Sequence, residues 1–108
     1  MRFGLCVGAA FWAVLATTAV ATAQSPAQRD CSDAQSDPDR IIAACSSLLG
    51  APRLPPPGQI RALTNRGLAL TRKGTFDDAI ADFDTALRID PDDGRARNAR
   101  GIAFRRKG

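Results

Sequence analysis

Apolar residues along the central part of the chain recur with a helical period and are interrupted at short intervals by caps and glycines. Ile41, Ile42, Cys45, Leu48 and Leu49 fall at i, i+1, i+4, i+7 and i+8, which is one stripe on a short helix. Asp37-Pro38-Asp39 opens that helix with an Asp cap, a Pro at the first helical position and an acid near the positive end of the dipole. Gly50 can close it. Ile60, Leu63, Gly67 and Leu70 share one side of a second helix predicted over 59–73, with Leu68 and Ala69 beside them. Gly74 ends it and Thr75 is placed to cap the next. Phe76, Ala79, Ile80, Phe83, Ala86 and Leu87 then line one face of a helix over 76–89, while Asp77, Asp78, Asp82 and Asp84 populate the other as outer-face acids. Asp84 and Arg88 are spaced to pair at i, i+4. Asp90-Pro91 ends this helix, Asp92 or Asp93 caps again, and a last helix is expected from Gly94 to Lys107.

The intervening segments lack this period. Residues 24–36 are polar and are expected to be loose except where Cys31 is tied. Residues 50–58, GAPRLPPPG, read as a break: Pro55-Pro56-Pro57 predicts an extended, semi-rigid connector, with a proline-rich ligand for a partner as the rival reading.

Two of the predicted helices are copies. Residues 61–74 read RALTNRGLALTRKG and residues 95–108 read RARNARGIAFRRKG, a spacing of 34. Leu68 becomes Ile102 and Leu70 becomes Phe104, so apolar character persists where identity does not. A two-helix unit cannot bury its apolar face alone and must stack on a copy of itself. The expected fold is therefore all-α, an α-α superhelix of the solenoid type. It would hold one full repeat at 59–93, a degenerate leading segment at 24–58 and an incomplete trailing copy at 94–108. Gly67 in mid-helix is worth about 1 kcal/mol less than Ala there. Its expected reason is the close approach of a neighbouring helix.

The order Gly67, Leu70, Gly74, Phe76, Ala79, Phe83, Ala86 and Pro91 carries a family resemblance. It sets a small residue in mid-helix, a large apolar residue one turn later, a Gly-x-aromatic corner, an Ala-x-x-x-aromatic-x-x-Ala helix and a closing Pro. Residues 60–93 closely resemble a tetratricopeptide repeat, and Gly101 and Phe104 hold corresponding places in the trailing copy. Arg66 stands where many members carry Leu, and Leu70 replaces the usual Tyr. Upstream, DPDRIIAACSSLL can be laid on FDDAIADFDTALRI with Cys45 over Phe83, as the second helix of a degenerate leading repeat. Exported bacterial tetratricopeptide proteins with such a cysteine-bearing first segment are similar.

The resemblance implies a scaffold for protein–protein interaction. In the family the first helices of successive repeats line a concave groove that holds an extended peptide or a helix. The corresponding residues are Arg61, Thr64, Leu68, Thr71 and Arg72, then Arg95, Asn98, Ile102, Arg105 and Arg106. That lining is basic, which would suit an acidic or C-terminal carboxylate segment through Arg contacts. The plainer alternative is that these arginines are a solvated helix face. Thr64 and Leu68 stand at two places of the family's carboxylate clamp, so that specificity is not carried over.

Composition narrows the rest. The 108 residues carry a net charge of +4 and no His, which excludes Ser-His-Asp and Cys-His nucleophile systems. Tyr and Glu are also absent, so Asp is the only acidic side chain. No cofactor, metal or enzymatic activity is expected: two thiolates without His do not complete a zinc shell. Outside the leader, Phe76, Phe83 and Phe104 are the only aromatics, too few for stacking on nucleic-acid bases. A different class of function remains open, a basic surface for polyanions such as lipopolysaccharide, anionic lipid or nucleic acid. Against it, the cations of residues 95–107 wrap the helix instead of forming one stripe.

Residues 1–23 have secretory-signal grammar: Arg2, an apolar stretch from Leu5 to Ala16 and the small residues Ala21-Thr22-Ala23 before Gln24. Cleavage at Ala23/Gln24 would leave a periplasmic or secreted protein with no membrane span. The alternative is an uncleaved anchor, although the stretch is short against the ~20 apolar residues of a span. Export makes Cys31 and Cys45 a disulfide candidate, with two free thiols as the alternative. The chain stops at Gly108, before any second helix of the trailing copy, so Ala99, Ile102, Ala103 and Phe104 are expected to lack an intramolecular cover on one side. A fragment of a longer reading frame is the expectation. A partner-completed edge, including self-association through the uncapped last helix, and a frayed last helix are the other readings.

Overall fold

The computed structural model describes residues 23–108, so all but the last residue of the expected leader lies outside the described residues. Regular structure among them is α-helical: α1 (Pro26–Ser32), α2 (Pro38–Leu49), α3 (Pro56–Lys73), α4 (Phe76–Ile89) and α5 (Gly94–Lys107). Each helix packs on the next, and α1, α3 and α5 also meet along one layer. This is the build of an α-α solenoid.

The helix starts follow from local chemistry. Asp37 accepts from the Asp39 N–H at 3.3 Å to cap α2, and Asp93, not Asp92, caps α5 by accepting from Ala96 at 2.8 Å. Gly74 adopts the left-handed conformation at φ 82°. Its N–H and that of Thr75 reach back to the carbonyls of Thr71 and Leu70 at 3.1 and 2.9 Å, closing α3. Thr75 precedes α4 without lending its side chain as a cap. The acids Asp77 and Asp78 in the first turn of α4 favour its positive end instead.

Two segments depart from expectation. Residues 26–32, expected to be loose, form α1. Ser25 and Gln28 make a reciprocal capping box at 3.2 and 2.7 Å, and Pro26 sits in the first turn. The prolines do not form an extended connector throughout either. Pro55 is the residue before α3, and Pro56 and Pro57 lie in its first turn. First-turn N–H groups have no acceptor within the helix, so their loss there removes nothing.

The core runs through three clusters. Cys31 and Cys45 are joined as a disulfide. With Ile41 and Ala44 they pack on Ala62 and Ala69 of α3. Phe83 and Ala79 of α4 pack with Ala99 and Ala103 of α5, and Leu63, Ala86 and Ala96 join α3, α4 and α5. Ala99 and Ala103, expected to lack cover on one side, are instead buried against α4. Gly67 is the point of closest approach: a Cβ there would lie 2.5 Å from Cε1 of Phe83 and 2.7 Å from its Cζ.

Polar contacts tie the same helices. Asp82 is not an outer-face acid; it is buried and accepts two hydrogen bonds from Arg66, from Nε and from Nη2, both 2.7 Å. This bidentate bond, the larger influence, holds the Arg66 guanidinium above its ordinary pKa against the opposing effect of burial. Arg66 Nη1 also donates to Ser46 Oγ at 3.0 Å, joining α2, α3 and α4. The expected Asp84–Arg88 pair does not form. Asp84 accepts from Arg100 of α5 at 2.7 Å, and Arg88 donates to Thr85 at 2.9 Å.

Candidate functional site

Helical register alone gathers one set of side chains on the layer formed by α1, α3 and α5. On α3, Asn65, Leu68, Ala69 and Arg72 stand at i, i+3, i+4 and i+7; on α5, Arg95, Ile102 and Arg106 stand at i, i+7 and i+11. Between the two helices and the α1–α2 loop lies a cavity of about 260 Å3. Its floor is apolar, made by Ile41, Leu68, Ala69 and Ile102 with the edge of Cys31. Arg72, Arg95 and Arg106 stand around it with Asn65.

The three arginines are positioned by neutral groups. Arg72 Nη1 donates to the carbonyls of Ala34 and Ser36, both at 3.2 Å, which holds the α1–α2 loop against α3. Arg95 Nη2 donates to Asn65 Oδ1 at 2.7 Å. The Arg106 guanidinium carbon lies 5.7 Å from the centroid of the Phe76 ring, a cation–π contact. Among the described residues none of the three meets a carboxylate. Nine of the eleven aspartates are engaged elsewhere. Arg40–Asp30, Arg66–Asp82, Lys73–Asp39, Arg100–Asp84 and Lys107–Asp77 are ion pairs. Asp33, Asp37, Asp90 and Asp93 accept from backbone N–H groups at turns and caps. The rim of the cavity is therefore a cluster of positive charge without a local counter-charge, beside an apolar floor.

The residues expected along a groove are divided by the structure. Leu68, Thr71, Arg72, Arg95, Ile102 and Arg106 line the cavity together. Thr71 is buried and spends its hydroxyl on the Gly67 carbonyl at 2.8 Å. Arg61 is exposed and borders a neighbouring depression with Gln28 and Leu54. Asn98 and Arg105 are exposed and outside the cavity. Thr64 is a correction: at 1% exposure it is closed to a partner, and its Oγ1 has no hydrogen-bond partner among the described residues. Asn65, Ile41 and the Ala34 loop were not anticipated as site residues. Asn65 could have been found from its place one turn before Leu68. The wall from α1 and its loop depends on a hairpin that periodicity did not show.

Of the repeat-packing residues, Gly67, Ala79, Phe83 and Ala86 are buried, and Leu70 and Phe76 are half-buried. Gly74 forms the left-handed corner and Pro91 an exposed turn. Gly101 is exposed and Phe104 is 53% exposed. Among the described residues no three His, Cys, Asp or Glu side chains group as a metal site, and no helix is long and apolar enough to cross a membrane.

The family model described as Tetratricopeptide repeat matches residues 60–93, the span of α3 and α4 with its closing proline. The match supports a tetratricopeptide-repeat family and, with it, a protein–protein interaction scaffold with protein partners. No curated protein and no solved structure matches the chain.

Proposed function

We propose that the chain is an exported interaction module whose α1–α3–α5 face holds an acidic segment of a partner protein. One observation carries the reading: Arg72, Arg95 and Arg106 surround an apolar cavity and meet no carboxylate among the described residues. A partner carboxylate would form charge-assisted bonds to guanidinium groups already held in place, while one apolar side chain fills the cavity. The disposition suits binding, because the charged groups have fixed partners and the hydroxyl of Thr71, which also lines the cavity, is spent on the Gly67 carbonyl. Export is supported by the leader grammar of residues 1–23 and by the Cys31–Cys45 disulfide, a bond that persists in oxidising compartments.

Selection from a randomised peptide display library tests this. Enriched sequences should combine Asp or Glu with one large apolar residue. Arg95→Glu with Arg106→Glu should weaken their binding by at least about tenfold, equivalent to about 1.4 kcal/mol. Enrichment of basic or purely polar sequences would refute the reading. A steep loss of binding with salt, independent of peptide sequence, would instead favour a polyanion surface.

A further inference from the structure

The disulfide stands in the wall of the cavity. Cys31 lines both the cavity and the depression beside Arg61, and Ala34 of the following loop lines the cavity as well. Helix α1 and this loop therefore form one side of the site. Helix α1 has seven residues, too short to keep its shape without packing. The disulfide and the surface ion pair Asp30–Arg40 tie it to α2, and surface pairs contribute little. Arg72 ties the loop to α3 through the carbonyls of Ala34 and Ser36, both at 3.2 Å. The same arginine stands at the rim, so wall and rim share one side chain. The α3–α4 pair is held separately, by Gly67 against Phe83 and by Arg66 on Asp82.

We propose that the Cys31–Cys45 disulfide is a redox switch for partner binding: the oxidised chain holds the acidic segment, and reduction by a dithiol releases it. The switch rests on the binding of an acidic segment at this face. A thiolate of the dithiol attacks Cys31 Sγ, the S–S bond breaks, and Cys45 leaves as a thiolate that takes up a proton. The second thiol of the reductant then attacks its partner sulfur in the mixed disulfide and releases Cys31 as a thiol. Two electrons and two protons pass to the protein sulfurs as the dithiol becomes a disulfide. With the cross-link gone, α1 is left to a surface pair and to the bonds of Arg72. The wall loosens, Arg72 loses its fixed orientation, and the pre-organisation that favours binding is lost. Cys31 is 3% and Cys45 0% exposed, so attack requires the end of α1 to lift from α3. A segment seated in the cavity packs against that wall and opposes the movement. The linkage is reciprocal: the factor that reduction removes from affinity is the factor by which the bound segment favours the disulfide.

Calorimetric titration of a library-selected acidic peptide should give an affinity at least about tenfold lower for protein reduced with dithiothreitol than for the oxidised protein. Cys31→Ser with Cys45→Ser should bind as the reduced protein does and be indifferent to dithiothreitol. Saturating peptide should shift the dithiol–disulfide equilibrium toward the oxidised chain by the same factor, about 30 mV for tenfold. In 15N spectra without peptide, the amides of Cys31, Ala34, Ser36 and Arg72 should move on reduction, while those of Gly67, Phe83 and Ala99 keep their positions. Equal affinity in both redox states, or unmoved amides at Ala34 and Ser36, would overturn the switch and leave the site standing. Collapse of the Gly67 and Phe83 signals on reduction would overturn it too, because the disulfide would then be a staple of the whole fold. Failure of the oxidised protein to bind acidic peptides would refute the site itself, and the switch with it.

Discussion

Gly67→Ala and Gly101→Ala add the same methyl group at two positions related by the 34-residue repeat, and the two are expected to act in opposite directions. In a helix interior the exchange of Gly for Ala gains about 1 kcal/mol. At Gly101 nothing opposes that gain, because the methyl enters open space. At Gly67 it would lie 2.5 Å from Cε1 of Phe83. Carbon atoms rest at about 3.5–4 Å, so ring or helix must give by about 1 Å. Phe83 is 0% exposed and enclosed by Ala79, Ala99 and Ala103, which leaves the ring no free direction. Overpacking of this kind costs about 1–3 kcal/mol, and the tight enclosure places it in the upper half of that range. After the propensity gain, Gly67→Ala should be destabilising by about 1–2 kcal/mol. Thermal melts followed by circular dichroism should show Gly67→Ala lowered by about 5–10 °C and Gly101→Ala raised by about 4 °C. Phe83→Leu should be partly compensating in the Gly67→Ala background, with a coupling energy of about 1 kcal/mol. If both single variants melted higher than the parent, the helix contact at Gly67 would not be as close as described.

Other substitutions test the same packing and its staples. Ala79 is 0% exposed, so Ala79→Leu should be destabilising by about 1–3 kcal/mol in urea titrations; an unchanged midpoint would contradict the packing. Arg66→Met leaves the buried Asp82 carboxylate without its bidentate donor and should cost about 2 kcal/mol. Arg100→Met breaks a pair whose side chains are 36% and 42% exposed and should cost under about 1 kcal/mol; equal effects would contradict the ranking. Reduction of Cys31–Cys45 should lower stability by about 3 kcal/mol in the chain-entropy account. It should also loosen the α1 wall of the cavity, read as faster amide exchange at Ala34 and Ser36.

Much of the helical order could be read from period and punctuation, because each boundary has a local cause. Gly74 needs the left-handed corner, Asp37 and Asp93 cap, and the copies at 61–74 and 95–108 require stacked neighbours. Gly67 could be assigned a close contact because a mid-helix glycine is unfavourable without one. What escaped was set by partners distant in sequence. Helix α1 is seven residues long and is held by a disulfide and by the grip of Arg72 on its following loop, which polar composition does not reveal. Asp82 lies on the acidic side of its helix by count, yet Arg66 of the preceding helix draws it inward. Ala99 and Ala103 looked uncovered only while α4 was assigned a single packing face; it serves α3 and α5 at once. For the site, register sufficed to bring Leu68, Arg72, Arg95 and Arg106 together. It could not show that Thr64 is enclosed, nor that no carboxylate among the described residues reaches the rim arginines.

The central claim is that the face built from α1, α3 and α5 is where a partner's acidic segment binds. Its most direct test is a 15N chemical-shift map of the protein with a library-selected acidic peptide. The account predicts shifts concentrated at Ala34, Asn65, Leu68, Arg72, Arg95 and Ile102, lost when Arg95 and Arg106 are changed to Glu. Shifts centred on the opposite surfaces of α2 and α4, or a map unaltered by those two reversals, would contradict it.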